Sequence, residues 1–300
     1  LCQMSNYQYK IYKNKIKSNI SNGANNNNNL NKDKSYSKLQ PLFYISNIIL
    51  PDKNFDNILA KKDNHAYQKF DNGLGPFIID EKSDSRDKKK YFQFKFQNHV
   101  KFNIGTKQES SFLDEKNLEK FSTKFYNALN KIKNGKGICY VYSEFVWGGT
   151  LPFALMLEQN GFERYKVSGE KPLLDYPLNK NRGGGKRNPI CAICGLPANN
   201  IIHTNKNLKG YHKFKTAKYV LVTGNINLSR ITTNELTEIV NSSNNKYGEE
   251  LKVIIGTRTT GEGLDFKRIR QVHILEPWYN LSRIDQIIGR AIRRCSHIDL

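Results

Sequence analysis

No run in the 300-residue chain is apolar for long enough to span a membrane as a helix, and no secretory signal pattern opens it. Cysteine is scarce: of five, only Cys191 and Cys194 lie close together. That excludes a disulfide framework and makes a soluble, reducing, intracellular compartment the expected setting. Acidic residues are few beside basic ones, 27 against 48, so the formal charge is +21 and the pI about 9.6. An excess of that sign favours a polyanionic partner, although solubility alone accounts for many such chains. The abundance of Lys, Asn, Ile and Tyr also fits an AT-rich genome, which raises the lysine count for reasons unrelated to function. The length allows one or two domains with a sizeable core.

The first 112 residues carry little pattern. Ser21–Lys34 includes a run of asparagines and few apolar residues, as a disordered insertion does. Glu81–Lys90 is a solvated charge run, and Tyr44–Pro51 is a short apolar strand candidate ending at proline. From Asp114 the pattern sharpens. Leu118, Phe121, Phe125, Leu129 and Ile132 follow helical spacing, with Asp114 as a candidate cap, a break at Ser122-Thr123 and a stop at Asn134-Gly135. A buried strand is expected over Gly137–Ser143, a helix over Leu151–Gln159, a strand over Tyr219–Thr223 and a helix over Thr232–Val240. Further strands are expected at Val253–Gly256 and Val272–Leu275, with a helix after them. That alternation predicts a mainly parallel α/β sheet with helices on its faces over 113–300.

Residues 163–218 interrupt the rhythm. They contain the basic, glycine-rich Asn181–Asn188, then Cys191-x-x-Cys194, with His203 and His212 each following after eight intervening residues. Two thiolates and two imidazoles can complete a tetrahedral zinc site that staples a loop too small for its own core. The alternative is a surface loop with free thiols.

At the end of the chain, Gln286–Arg294 reads Q-I-I-G-R-A-I-R-R, and Gly256–Asp265 reads G-T-R-T-T-G-E-G-L-D. The first resembles motif VI of superfamily 2 helicases and the second motif V. The longer string from Glu276 to His297 is similar to the helicase and nucleoside triphosphatase branch of poxviruses and other large DNA viruses. That branch includes the small subunit of the early transcription factor and the transcription-termination triphosphatase. The resemblance implies that residues 113–300 are a second RecA-like lobe. Residues 1–112 would then be a variable, partly disordered region connecting it to a first lobe outside this sequence.

It further implies the chemistry. Arg290 and Arg293 are arginine-finger candidates, and Gln286 a γ-phosphate or water-sensing residue. Gly261, Glu262, Gly263, Asp265 and Gly289 fall toward the nucleotide, the glycines admitting a close approach of backbone to phosphate. Asp265 also suits a turn-stabilising role. Thr257, Thr259 and Thr260 offer hydroxyls to a sugar–phosphate backbone. Ser143 and Phe145, in the S-E-F that resembles motif IV, are nucleic-acid candidates, with packing as the alternative for Phe145. ATP, Mg²⁺ and a candidate structural zinc are the expected cofactors. DNA or RNA, the first lobe, and a transcription-factor or RNA polymerase subunit are the expected partners, with virion and host cytoplasm as the setting if the source is viral. A duplex translocase that never separates strands and a non-catalytic zinc-containing nucleic-acid module are the rival functions. The sequence contains no G-x-x-x-x-G-K-[ST] phosphate loop, and no D-E-x-H follows an apolar strand. The chain also begins without Met, so it is expected to be part of a longer protein and inactive in ATP hydrolysis alone.

Overall fold

A computed structural model describes residues 3–24, 32–51, 77–83, 90–96, 101–103, 109–165, 171–174, 188–261, 265–276 and 281–291. Strands β5 (Ile138–Tyr142), β6 (Glu163–Arg164), β7 (Lys218–Val222), β8 (Val253–Gly256) and β9 (Ile269–Ile274) form one sheet in the order β6-β7-β8-β5-β9. Every neighbouring pair is parallel. The central strand β5 reads I-C-Y-V-Y and is buried throughout, as a strand covered on both faces must be.

Two cores lie on opposite faces, and the period-2 alternation of the strands assigns residues to them. Cys139 and Val141 of β5, Tyr219 and Leu221 of β7, and Val253 and Ile255 of β8 face one core. That core is completed by α3 (Glu115–Phe121), α4 (Thr123–Asn134) and α5 (Leu151–Gln159). Ile138, Tyr140, Tyr142, Val220 and Ile254 face the other, with Leu236 and Val240 of α6 (Thr233–Asn241) and Ile287 of α7 (Leu281–Ala291). Burying each such large aliphatic side chain is worth about 1.5–3 kcal/mol.

Local signals explain the helix ends. Ser122 separates α3 from α4: its Oγ accepts from the Phe125 amide at 3.0 Å and donates to the carbonyl of Asn47. Thr232 and Glu235 form a reciprocal capping box at the start of α6. Asp114 holds the N-cap position of α3, but its carboxylate accepts from the Ser111 amide and from Gln159 instead. Helix α7 begins at Leu281, with Ser282 as its second residue. A π-helical turn, Val146–Thr150, runs directly into α5, and sequence periodicity does not announce it.

The region before residue 113 contains more structure than expected. Helices α1 (Asn6–Ala24) and α2 (Lys32–Asn47) overlap both ends of the stretch read as a disordered insertion. Tyr44–Pro51 is not a strand: its first residues finish α2 and the rest continue without regular structure. Ile45, Ile48 and Ile49 are spaced by three and four, which is helical spacing, and all are buried, with Ile48 in the first core. The charge run 81–90 touches an antiparallel pair, β1 (Phe77–Ser83) with β2 (Lys90–Phe96), and Phe94 of β2 is fully buried. The remaining pair is β3 (Lys101–Asn103) with β4 (Glu109–Ser111). Among the described residues, no helix is long and apolar enough to cross a membrane.

Candidate nucleotide and nucleic-acid site at the carboxyl edge of the sheet

In a parallel sheet all carboxyl ends lie on one edge, where ligands of open α/β folds sit. Three stretches carrying the sequence motifs meet there. Beyond β8, Arg258–Gly261 forms a short 3₁₀ turn. The Thr260 amide and hydroxyl both reach the Thr257 carbonyl, at 3.0 and 2.5 Å, and the hydroxyl lies 2.9 Å from that of Tyr140. Gly256 precedes the turn because Thr260 covers it: a Cβ there would lie 2.1 Å from the Thr260 Oγ1. Thr257 and Thr260 are buried, and the Thr260 hydroxyl and the Thr257 carbonyl shape the turn. Thr259 lies between them in the same turn, and Gly261 ends it.

Helix α7 follows β9 and rests against both β9 and the Arg258–Gly261 turn, so the sixth and fifth motifs adjoin. Ile287 is buried inward, whereas Gln286 and Gly289 are exposed. A Cβ on Gly289 would meet nothing within 4 Å. Arg290 is on the same helix, four residues after Gln286, and therefore shares its face. Asp265 is exposed, and its carbonyl accepts from Asn241 Nδ2 at 3.0 Å. Glu262, Gly263 and Arg293 lie outside the described residues, as do 181–187 of the basic loop and His297.

The end of β5 behaves differently from its expected role. Ser143 and Phe145 are both turned inside. Phe145 stacks edge-on against Tyr44, centroids 5.1 Å apart, and tilts against Phe43 at 5.7 Å. Ser143 is fully buried, and its hydroxyl donates to Glu276 Oε1 at 2.8 Å. Two α2 aromatics and a buried carboxylate occupy the space around them, which for Phe145 is the packing alternative that the sequence leaves open.

That carboxylate is the residue the sequence reading missed. Glu276, 3% exposed, lies just past β9. Besides Ser143 it accepts from the Glu144 amide at 3.1 Å and from Asn47 Nδ2. Asn47 also donates to the Gly148 carbonyl at 3.0 Å, and Lys124 Nζ reaches Asn47 Oδ1 at 2.8 Å and the Leu275 carbonyl. Burial pushes the Glu276 carboxyl up from its ordinary value; the Asn47 and Ser143 donors, the Lys124 ammonium and the Glu144 amide pull it back. One buried hub therefore joins α2, α4, the end of β5, the π-helical turn and the end of β9. Its only sequence signal is a lone acid following an apolar strand.

His273, in β9, is held down to about 4 by burial, with Lys131 adding repulsion, and its Nε2 lies 3.0 Å from Gln271 Oε1. It is a packed, neutral imidazole. Arg268 is the one non-glycine with positive φ among the described residues, and its guanidinium caps the end of α6 through the Ser242 carbonyl at 3.0 Å.

Away from this edge, Cys191, Cys194, His203 and His212 converge: one ligand atom from each lies within 4.8 Å of all the others. These four residues could hold a metal ion.

A fully parallel sheet with helices on both faces, and with glycine-turn and arginine-bearing elements at its carboxyl edge, defines an α/β protein of the RecA-like class. Within that class, residues 200–295 match the helicase conserved C-terminal domain family. It is 32% identical over 195 residues to a protein of Acanthamoeba polyphaga mimivirus named as an ATP-dependent RNA helicase, covering 61% of this chain and 16% of that protein. A second mimivirus protein of that name is 30% identical over 202 residues, 66% of this chain and 27% of the relative. The termination factor NPH-I homolog of African swine fever virus is 30% identical over 184 residues, 60% and 24% of the two chains. The chain thus spans between 16% and 27% of the length of these relatives.

Proposed function

We propose that this chain is the second RecA-like lobe of an ATP-dependent helicase or translocase. In this reading it works across a cleft with a first lobe that supplies the phosphate loop. The observation that carries the reading is the helicase C-terminal match over 200–295, which contains both motifs that the fold sets side by side at the carboxyl edge.

Hydrolysis of a nucleoside triphosphate depends chiefly on stabilising charge at the γ-phosphate, and a guanidinium supplied from a facing domain does this well. Arg290 and Arg293 are the proposed fingers, and Gln286 the group that orients the γ-phosphate or water. The surface fits such a ligand: Gln286 is exposed, and nothing among the described residues crowds the helix at Gly289. Bound ATP would supply the phosphoanhydride, and Mg²⁺ would neutralise its charge on the first lobe's side. Gly261, Glu262, Gly263 and Asp265 are proposed to line the nucleotide side of the cleft. Thr259, rather than the inward Thr257 and Thr260, is the hydroxyl proposed to meet a sugar–phosphate backbone. The names of the relatives support a nucleic-acid substrate and, through the termination factor homolog, a role in viral transcription.

Arg290→Ala in the full-length protein is expected to lower nucleic-acid-stimulated ATP hydrolysis by about 10³-fold or more while leaving nucleotide binding nearly intact. The 300-residue chain alone is expected to hydrolyse ATP negligibly. Undiminished hydrolysis by the arginine variant would sink the finger assignment. A strand-displacement assay on the full-length protein separates unwinding from translocation without strand separation, since both use the same arginines.

A further inference from the structure

We infer that Cys191, Cys194, His203 and His212 form a closed structural zinc(II) site that clips residues 188–217 onto the edge of the sheet. The donor set is two thiolates and two imidazoles, the set that selects zinc in tetrahedral geometry. With Zn–S about 2.3 Å and Zn–N about 2.0 Å, the edges of such a tetrahedron run roughly 3.3–3.8 Å. Cys191 Sγ and His212 Nε2 are 3.4 Å apart, and Cys194 Sγ and His203 Nε2 3.8 Å. The two imidazole planes cross at 83° with centroids 5.0 Å apart, as ligands converging from different sides do.

The surroundings are those of a ligand shell. His212 sets its Nδ1 2.9 Å from the Gly210 carbonyl; a proton held there leaves Nε2 as the lone-pair nitrogen facing the cysteine. His203 is buried, and among the described residues its Nδ1 has no hydrogen-bond partner. Four protein ligands leave no open coordination position, which makes the site structural rather than catalytic.

The segment has reason to need a clip. Its regular structure is one 3₁₀ turn, Ile201–His203, and isolated bridges at Ile190–Pro197 and Cys191–Thr216. Leu196, Ile201, Leu208 and Tyr211 are all exposed, so the segment has little core of its own. A loop in that condition gains its order from a metal or other cross-link. The clip is also placed to matter. The Cys191–Gly195 turn lies on the end of α4, so close that a Cβ on Gly195 would be 2.3 Å from the Lys133 carbonyl. The two ends of the segment are hydrogen-bonded to each other, Ala192 to Lys215 at 2.7 Å and Ala217 to Ile190 at 2.8 Å. Ile190 in turn bonds Gly161, two residues before β6, and Ala217 leads into β7. The site therefore clamps the chain where it enters and leaves the β6–β7 edge.

The test is metal analysis of the purified chain with Cys191→Ser, Cys194→Ser and Cys139→Ser variants. Wild type and C139S should each retain one zinc per chain, and cobalt(II) exchange should give thiolate charge-transfer bands with the d–d pattern of a tetrahedral S₂N₂ site. C191S and C194S should lose both. Because those two variants may misfold, the wild-type protein also carries the test: chelation should release one zinc, free two additional thiols and speed proteolysis within 188–217 roughly tenfold, reversibly on zinc return. A folded wild-type chain that takes up neither metal, joins Cys191 to Cys194 as a disulfide, or gives an octahedral cobalt spectrum would overturn the site. Cleavage of 188–217 unchanged by chelation would overturn its structural role.

Discussion

Glu276 makes the plainest residue-scale case. A carboxylate that is 3% exposed persists only because Ser143, Asn47 and the Glu144 amide donate to it and Lys124 lies close by. Removing it leaves each of those donors one hydrogen bond short, although Asn47 Nδ2 keeps the Gly148 carbonyl and the Ser143 hydroxyl the Phe145 carbonyl. Glu276→Ala should therefore cost about 2–4 kcal/mol in urea unfolding, whereas Glu276→Gln, which keeps an acceptor oxygen, should cost less. Equal losses for the two variants would show that packing, not the hub, matters there. Residue type and spacing pointed to the cysteines, and the resemblance to motifs V and VI to the arginines and glycines. Neither could show that Ser143 and Phe145 point inward, because that depends on α2, about a hundred residues earlier in sequence, arriving on top of them.

At the scale of elements, short-range signals were legible. The split between α3 and α4 at Ser122, the stop at Gly135, the span of α5 and the capping box at Thr232 all follow from local hydrogen bonding. Ser122 also does something local rules do not announce, since its hydroxyl donates to Asn47 at the end of α2. Ser122→Ala should remove the cap of α4 and orphan that buried carbonyl together, lowering stability by about 2 kcal/mol with an unchanged denaturant slope. A loss of only a few tenths would mean that water replaces both bonds. Tyr44–Pro51 was misread as a strand because short apolar runs fit either period. Ile45 lies in the last turn of α2 while Ile48 and Ile49 follow it without regular structure, and burial of all three fixes the segment.

Over the whole molecule, one consequence of the sheet is a pH-dependent stability. His273 is neutral in the folded state down to about 4, while the unfolded chain takes up its proton near 6.5. Above that value the residue is neutral in both states and contributes no pH dependence. As pH falls from about 6.5 toward 4, the unfolded state binds the proton first, so stability drops; below 4 the effect levels off. His273→Gln should flatten this part of the profile, the difference between variant and wild type changing by at most roughly 3 kcal/mol between pH 7.5 and 4 in urea titrations. Parallel profiles would contradict a half-buried, neutral His273.

By itself the sequence determined the class of the fold, the motif-bearing loop and helix, and the four metal-ligand candidates. The fold class rests on periodicity, the ligand candidates on short-range spacing and side-chain chemistry, and the motif-bearing loop and helix on a resemblance to superfamily 2 motifs V and VI. Only the tertiary structure decided the strand order β6-β7-β8-β5-β9, the placing of α7 against the Arg258–Gly261 turn, the inward Glu276 hub and the convergence of ligands from 191 to 212. Those depend on which surfaces meet. Parallel neighbours such as β5 and β8 are joined by long crossovers, and no local preference records which strand a crossover will bring alongside.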